Sequence, residues 1–122
     1  MSIKKTLLVV DDSIVVVERL IPMLESIENI AIVIHAGTYQ EAIEMLAEIK
    51  PDMILLDINL PDKSGIELLR KIREKDQEIV VIMITNHATP EYEKLCKKLG
   101  AKYFFDKSKD FQLIPEAIEL EY

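Results

Sequence analysis

Leu7-Leu8-Val9-Val10-Asp11-Asp12-Ser13 decides the fold: four apolar residues in a row, then two carboxylates and a hydroxyl. Four residues without alternation describe a strand buried on both faces, as in a parallel sheet covered by helices. The same event recurs three times. Met53-Ile54-Leu55-Leu56 ends on Asp57, the run from Ile79 to Ile84 ends on Thr85, and Tyr103-Phe104-Phe105-Asp106 leads to Lys107. Ligands of open parallel sheets bind beyond the carboxyl ends of the strands. If these runs are neighbours, three carboxylates, a hydroxyl and an ammonium meet in one crevice.

Between the runs lie helical patterns. Ser13 to Glu28 reads as an amphipathic helix containing Pro22, which removes a hydrogen bond and kinks it. After a strand over Ile30 to Ile34, Thr38-x-x-Glu41 has the form of a capping box opening a helix to Ile49, which Pro51 bars from continuing. Ser64-x-x-Glu67 repeats that signal before a helix to about Lys75. Thr89 and Pro90 provide a cap and a first residue for the next helix, which Gly100 ends. Pro115 opens a last helix of about two turns. With Thr6 to Val10 as the first strand, five strands alternate with five helices in a doubly wound α/β domain.

Composition narrows the function. The 122 residues suit one domain, and 15 basic against 22 acidic residues give a net charge of −7. That charge disfavours binding nucleic acid or an anionic membrane through a basic patch. Cys96 is the only cysteine, so neither an internal disulfide nor a cysteine zinc cluster can form, as suits a reducing cytoplasm. Met1-Ser2-Ile3-Lys4-Lys5 and the apolar run behind it are too short for a signal peptide or membrane span.

Each polar residue has an ordinary reading. Asp12 or Ser13 caps a helix, Asp57 ends a strand, Thr85 is a β-branched strand residue and Lys107 a surface lysine. Together they describe something else. Carboxylates at adjacent strand ends raise each other's pKa unless a cation neutralises them, and Mg²⁺ takes such oxygens. Asp57 is then the natural phosphoryl acceptor, with Thr85 donating to a phosphoryl oxygen and Lys107 supplying a point charge.

Val9-Val10-Asp11-Asp12-Ser13, Leu55-Leu56-Asp57 with Asn59, Leu60, Pro61 and Gly65, Ile84-Thr85, and Gly100-Ala101 before Phe104 and Lys107 follow in an order and spacing that resemble the receiver domains of two-component response regulators. The resemblance covers essentially residues 1–122 as one chemotaxis-receiver-like domain, with no output domain in the chain. It implies a flavodoxin-like sheet in the order 2-1-3-4-5. It also implies Mg²⁺-dependent transfer of a phosphoryl group from a sensor histidine kinase or phosphotransfer protein to Asp57, followed by self-hydrolysis. Asp12, Asp57 and the carbonyl of Asn59 match the family's metal ligands, and Asp11 its outer acidic residue. Such a chain is a cytoplasmic phosphorelay switch rather than a conventional multiple-turnover enzyme. Its output face, for a protein target or a second copy, is formed by the fourth helix, fifth strand and fifth helix.

Two positions depart from the family pattern. Ser108 follows Lys107 where proline is usual, so a cis bond there is costly. Asn86 replaces a small residue after the threonine. Asn59 and His87 border the path of the hydrolytic water and are expected to tune phosphate lifetime. Phe104 stands where the family carries an aromatic that swings inward on activation, and lacking a hydroxyl it favours the inward position.

Three rivals compete. A flavodoxin-like cofactor carrier needs a phosphate-binding loop after the first strand, where Asp11-Asp12 repels an anion. An Asp-x-Asp phosphatase needs a second carboxylate, and Asp57-Ile58-Asn59 lacks it. A pseudo-receiver would not keep all five polar residues. Met23, Met45, Met53 and Met83 read as core filler, and Cys96 as a buried hydrophobe on a face with Tyr92, Leu95 and Leu99. Lys94, Lys97 and Lys98 form a solvated face. His35 has no obvious partner, and two scattered histidines make no zinc site.

Overall fold

In the computed structural model, residues 4–122 are described; Met1–Ile3, part of the stretch read as neither signal peptide nor span, lie outside them. The strands are β1 (Lys5–Val10), β2 (Ile30–Ala36), β3 (Met53–Asp57), β4 (Val80–Thr85) and β5 (Tyr103–Asp106). The helices are α1 (Ile14–Glu25), α2 (Tyr39–Glu48), α3 (Gly65–Lys75), α4 (Pro90–Lys98) and α5 (Ile114–Glu121). All strand pairs are parallel, in the order β2-β1-β3-β4-β5.

The unalternating strands feed two cores. Leu7, Val9, Met53, Leu55, Ile82 and Ile84 face α1 and α5, meeting Leu20, Leu24, Ile114 and Ile118. Leu8, Val10, Ile54, Leu56, Val81 and Met83 face α2, α3 and α4, meeting Ala42, Leu68, Leu69 and Cys96. Burial on both sides is why neither face of these strands is polar. Met23 and Met45 pack only partly buried at the margins, and Tyr92 is exposed rather than sharing the buried face of Cys96.

Several boundaries differ from the sequence reading. α1 stops at Glu25, three residues early, because the Ile27 N–H turns to the Leu24 carbonyl, three residues back rather than four, and Ile27 folds into the core. The helix runs through Pro22, which lies on its exposed side. β2 continues to Ala36, and α5 begins at Ile114 after a 3₁₀ turn over Phe111–Leu113. The Ser64 hydroxyl accepts from the Ile66 N–H at 3.1 Å, so Ser64 and Glu67 form no reciprocal box; Glu67 pairs with Arg70 instead. Gly100, at φ 110, closes α4: its N–H reaches the Lys97 carbonyl and the Ala101 N–H the Cys96 carbonyl. The Lys107–Ser108 peptide is trans.

Candidate functional site

The carboxyl ends of β1, β3, β4 and β5 come together, and the site is built there. Beyond the last residue of β1, the Asp11 N–H donates to the Ala36 carbonyl at 3.0 Å, extending the β1–β2 pairing by one step. The Asp11 carbonyl accepts from His35 Nε2 at 2.8 Å. Asp11 Oδ1 accepts from the Ser13 N–H at 2.8 Å, and the Ser13 hydroxyl in turn caps α1. Asp11 is wholly buried, whereas Asp12 is exposed at the pocket mouth.

Asp57 ends β3 and is 3% exposed. Its Oδ1 accepts from the Asn59 N–H at 3.2 Å. The turn behind it is clamped by the Gly65 N–H, 2.7 Å from the Ile58 carbonyl. Gly65 is dictated by space: a Cβ there would lie 1.9 Å from the Asp57 carbonyl oxygen.

Lys107 spans the pocket. Its Nζ lies 2.6 Å from Asp11 Oδ2 and 3.0 Å from Asp57 Oδ2, with the side chain almost fully buried. The Asp11 contact is a close, buried ion pair. Thr85, fully buried, ends β4 one step beyond Ile84, which is in register with Asp57. Its Oγ1 accepts from the His87 N–H at 3.0 Å, leaving its own proton free to donate. Of the residues expected from the sequence, the structure brings Asp11, Asp12, Asp57 and Lys107 into one cluster. Thr85 and the Asn59 backbone stand at its border. His87 is exposed and joins only through its backbone.

Burial and the neighbouring Asp11 charge push the Asp57 pKa up, against the pull of Lys107 and the Asn59 N–H. Burial acts against the Lys107 charge, but Asp11 and Asp57 outweigh it and raise the ammonium's pKa. Oxygens of Asp11, Asp12 and Asp57 all lie within 4.8 Å of one another. A compact set of oxygens from three carboxylates suits a hard divalent cation.

The sequence reading missed two residues. His35 faces Asp11 across the β1–β2 pair, a contact that strand adjacency creates and local sequence does not reveal. Asp62, in the β3–α3 turn, accepts the Tyr39 and Gln40 N–H groups at 2.9 and 3.0 Å, tying that turn to the start of α2. Phe104, opposite Met83 on β5, is half-buried against the α2–α3–α4 core.

Residues 7–119 match the response regulator receiver domain family. The chain belongs to that family. It is 34% identical to a protein-glutamate methylesterase/protein-glutamine glutaminase of Clostridium acetobutylicum, over 90% of this chain and 33% of that protein. Among solved structures, the response regulator domain of Thermotoga maritima CheB is 32% identical with a TM-score of 0.82, covering 95% of this chain and 92% of that one. A CheY-like receiver domain protein of Methanospirillum hungatei is 27% identical with a TM-score of 0.87, covering 97% and 93%. The chain thus spans about a third of the length of the methylesterase. Receiver domains are signal-transduction switches of two-component systems, and phosphorylation-based signalling is general to them. No helix among the described residues is long and apolar enough to cross a membrane.

Proposed function

We propose that this receiver is switched by phosphorylation of Asp57, taken from a histidine of a sensor kinase or phosphotransfer protein. The observation that carries the reading is the position of Asp57: buried at a strand end, beside two other carboxylates, and contacted by a buried lysine. A carboxylate oxygen of Asp57 attacks phosphorus as the bond from phosphorus to the donor imidazole nitrogen breaks. Lys107, already 3.0 Å from Asp57 Oδ2, offsets charge gathering on the phosphoryl oxygens. The Thr85 hydroxyl donates its free proton to one of them. In a separate switch-off step water attacks phosphorus, the acyl oxygen–phosphorus bond breaks, and inorganic phosphate leaves with the Asp57 carboxylate restored. Asn59 and His87, both exposed at the rim, border the approach of that water.

Asp11, Asp12, Asp57 and the Asn59 carbonyl are the residues that hold Mg²⁺ in this reading. When bound, the ion neutralises carboxylate and phosphoryl oxygens together.

Two surfaces serve partners. Ile14 and Val15, 70% and 68% exposed directly after the acidic pair, form an apolar lip against which a phosphodonor protein docks. The α4–β5–α5 face, with Phe104 half-buried on β5, is the output surface for a protein target or a second copy. Incubation with a small phosphodonor, read by intact-protein mass, tests the reading. One phosphoryl group is expected with Mg²⁺ and none with chelator or in Asp57→Asn. Undiminished labelling of that variant, or indifference to chelator, would overturn it.

A further inference from the structure

We infer that His35 is a positioning residue that aims the Asp11–Asp12 carboxylates into the pocket from the edge strand. The inference rests on the reading of that pocket as a cation site. Asp11 and Asp12 occupy the whole connection between the end of β1 and the Ser13 cap of α1. Asp11 is held at both backbone groups, its N–H by the Ala36 carbonyl and its carbonyl by His35 Nε2. A carbonyl can only accept, so the imidazole donates from Nε2, which fixes that nitrogen as protonated.

The consequence falls on Asp12. Its carboxylate makes no hydrogen bond among the described residues and stands exposed at the mouth, so its own contacts do not aim it. The Asp11 carbonyl and the Asp12 N–H share one rigid peptide plane. Fixing the carbonyl therefore fixes where the Asp12 backbone begins, while the Ser13 cap fixes where it ends. His35 sits opposite Val9 in the β1–β2 register, and its ring reaches forward along the sheet edge to Asp11. Partners one shell behind a metal ligand commonly change affinity by about 10–100-fold when removed.

Full-length His35→Leu, His35→Asn and His35→Gln separate donation from bulk. Glutamine places an N–H donor near the imidazole Nε2 position; asparagine is polar but too short. Two measurements at one fixed pH are made. The first is calorimetric titration of the unphosphorylated protein with Mg²⁺. The second is the amide NMR signals of Asp12 and Ser13 in chelator, which need no metal. The expected result is Mg²⁺ binding about tenfold weaker in the leucine and asparagine variants. Their Asp12 and Ser13 amide signals move or broaden, and glutamine restores both readouts. Unchanged Asp12 and Ser13 amides in the leucine or asparagine variant would overturn the inference. So would a glutamine variant as impaired as leucine. Failure of the wild type to bind Mg²⁺ would instead remove the cation reading, and the amide signals would still decide what His35 does.

Discussion

Replacing Gly65 by alanine tests how tightly the α3 start is built against Asp57. The new Cβ would lie 1.9 Å from the Asp57 carbonyl oxygen and 2.8 Å from its carbon, both backbone atoms that no rotamer change can clear. Moving from 1.9 Å to the tolerated 3.0 Å requires a retreat of about 1.1 Å. That retreat breaks the 2.7 Å bond from the Gly65 N–H to the Ile58 carbonyl. Overpacking costs about 1–3 kcal/mol and the lost bond about 1 kcal/mol, offset by up to ~1 kcal/mol of helix propensity. The net loss is about 1–4 kcal/mol, read as a lower urea midpoint. A misplacement of about 1 Å at Asp57 also slows labelling by a small phosphodonor, by up to about 100-fold. Gly37→Ala is the internal control, because its Cβ meets only side-chain atoms at ordinary van der Waals distances, a Glu41 carboxylate oxygen at 3.5 Å and His35 Cε1 at 4.0 Å. Gly65→Ala matching both wild type and that control in stability and labelling would refute the packing argument.

Three further outcomes follow from the same pocket. The Asp57 pKa is raised in the folded state, so its ionisation opposes folding; the penalty is full above the folded pKa and is relieved as pH falls through it. Asp57→Asn in chelator should therefore raise the urea midpoint at neutral pH, by an amount that shrinks in acid, and a lower midpoint at neutral pH would contradict this. The Lys107 pKa is raised, so its contribution is full below the unfolded value of 10.5 and is lost as pH climbs through the folded one. Lys107→Met should cost about 3 kcal/mol near pH 7, less with Mg²⁺ than with chelator, and equal losses under both conditions would argue against a shared counter-ion role. Ile14→Lys should leave labelling by a small phosphodonor unchanged while slowing transfer from any histidine-phosphorylated protein that labels the wild type; parallel losses would remove the docking lip.

Why parts of this architecture were legible in the sequence is a matter of range. Strands buried on both faces betray themselves as unbroken apolar runs, and the polar residue ending each run marks the same edge of the sheet; Asp57 and Thr85 were visible for that reason. Caps at Thr38 and Thr89 are local and were legible too. The end of α1 was not, because Glu25 to Glu28 continue the helical pattern while Ile27 is drawn into the core by residues far along the chain. His35 and Asp62 act across 24 and more than 20 residues of sequence, so only the β1–β2 pairing and the approach of the β3–α3 turn to α2 reveal them.

The charge count at the pocket connects these pieces. Three carboxylates against one ammonium leave it two units negative (3 − 1 = 2) when all are ionised. A phosphoryl group bringing about two further negative charges would be repelled from such a site. Lys107 cannot cancel this alone, since it already divides its charge between Asp11 and Asp57 at 2.6 and 3.0 Å. A divalent cation held by these carboxylates would bring the resting count to zero and would supply positive charge toward an incoming phosphoryl group. The Asp57 pKa is raised first by burial and then by the neighbouring Asp11 charge, so the same crowding of carboxylates is felt from the protein's side. A pocket strained in that way is poised to respond to cation and phosphoryl group together, which is what ties phosphorylation of Asp57 to the metal requirement proposed for it.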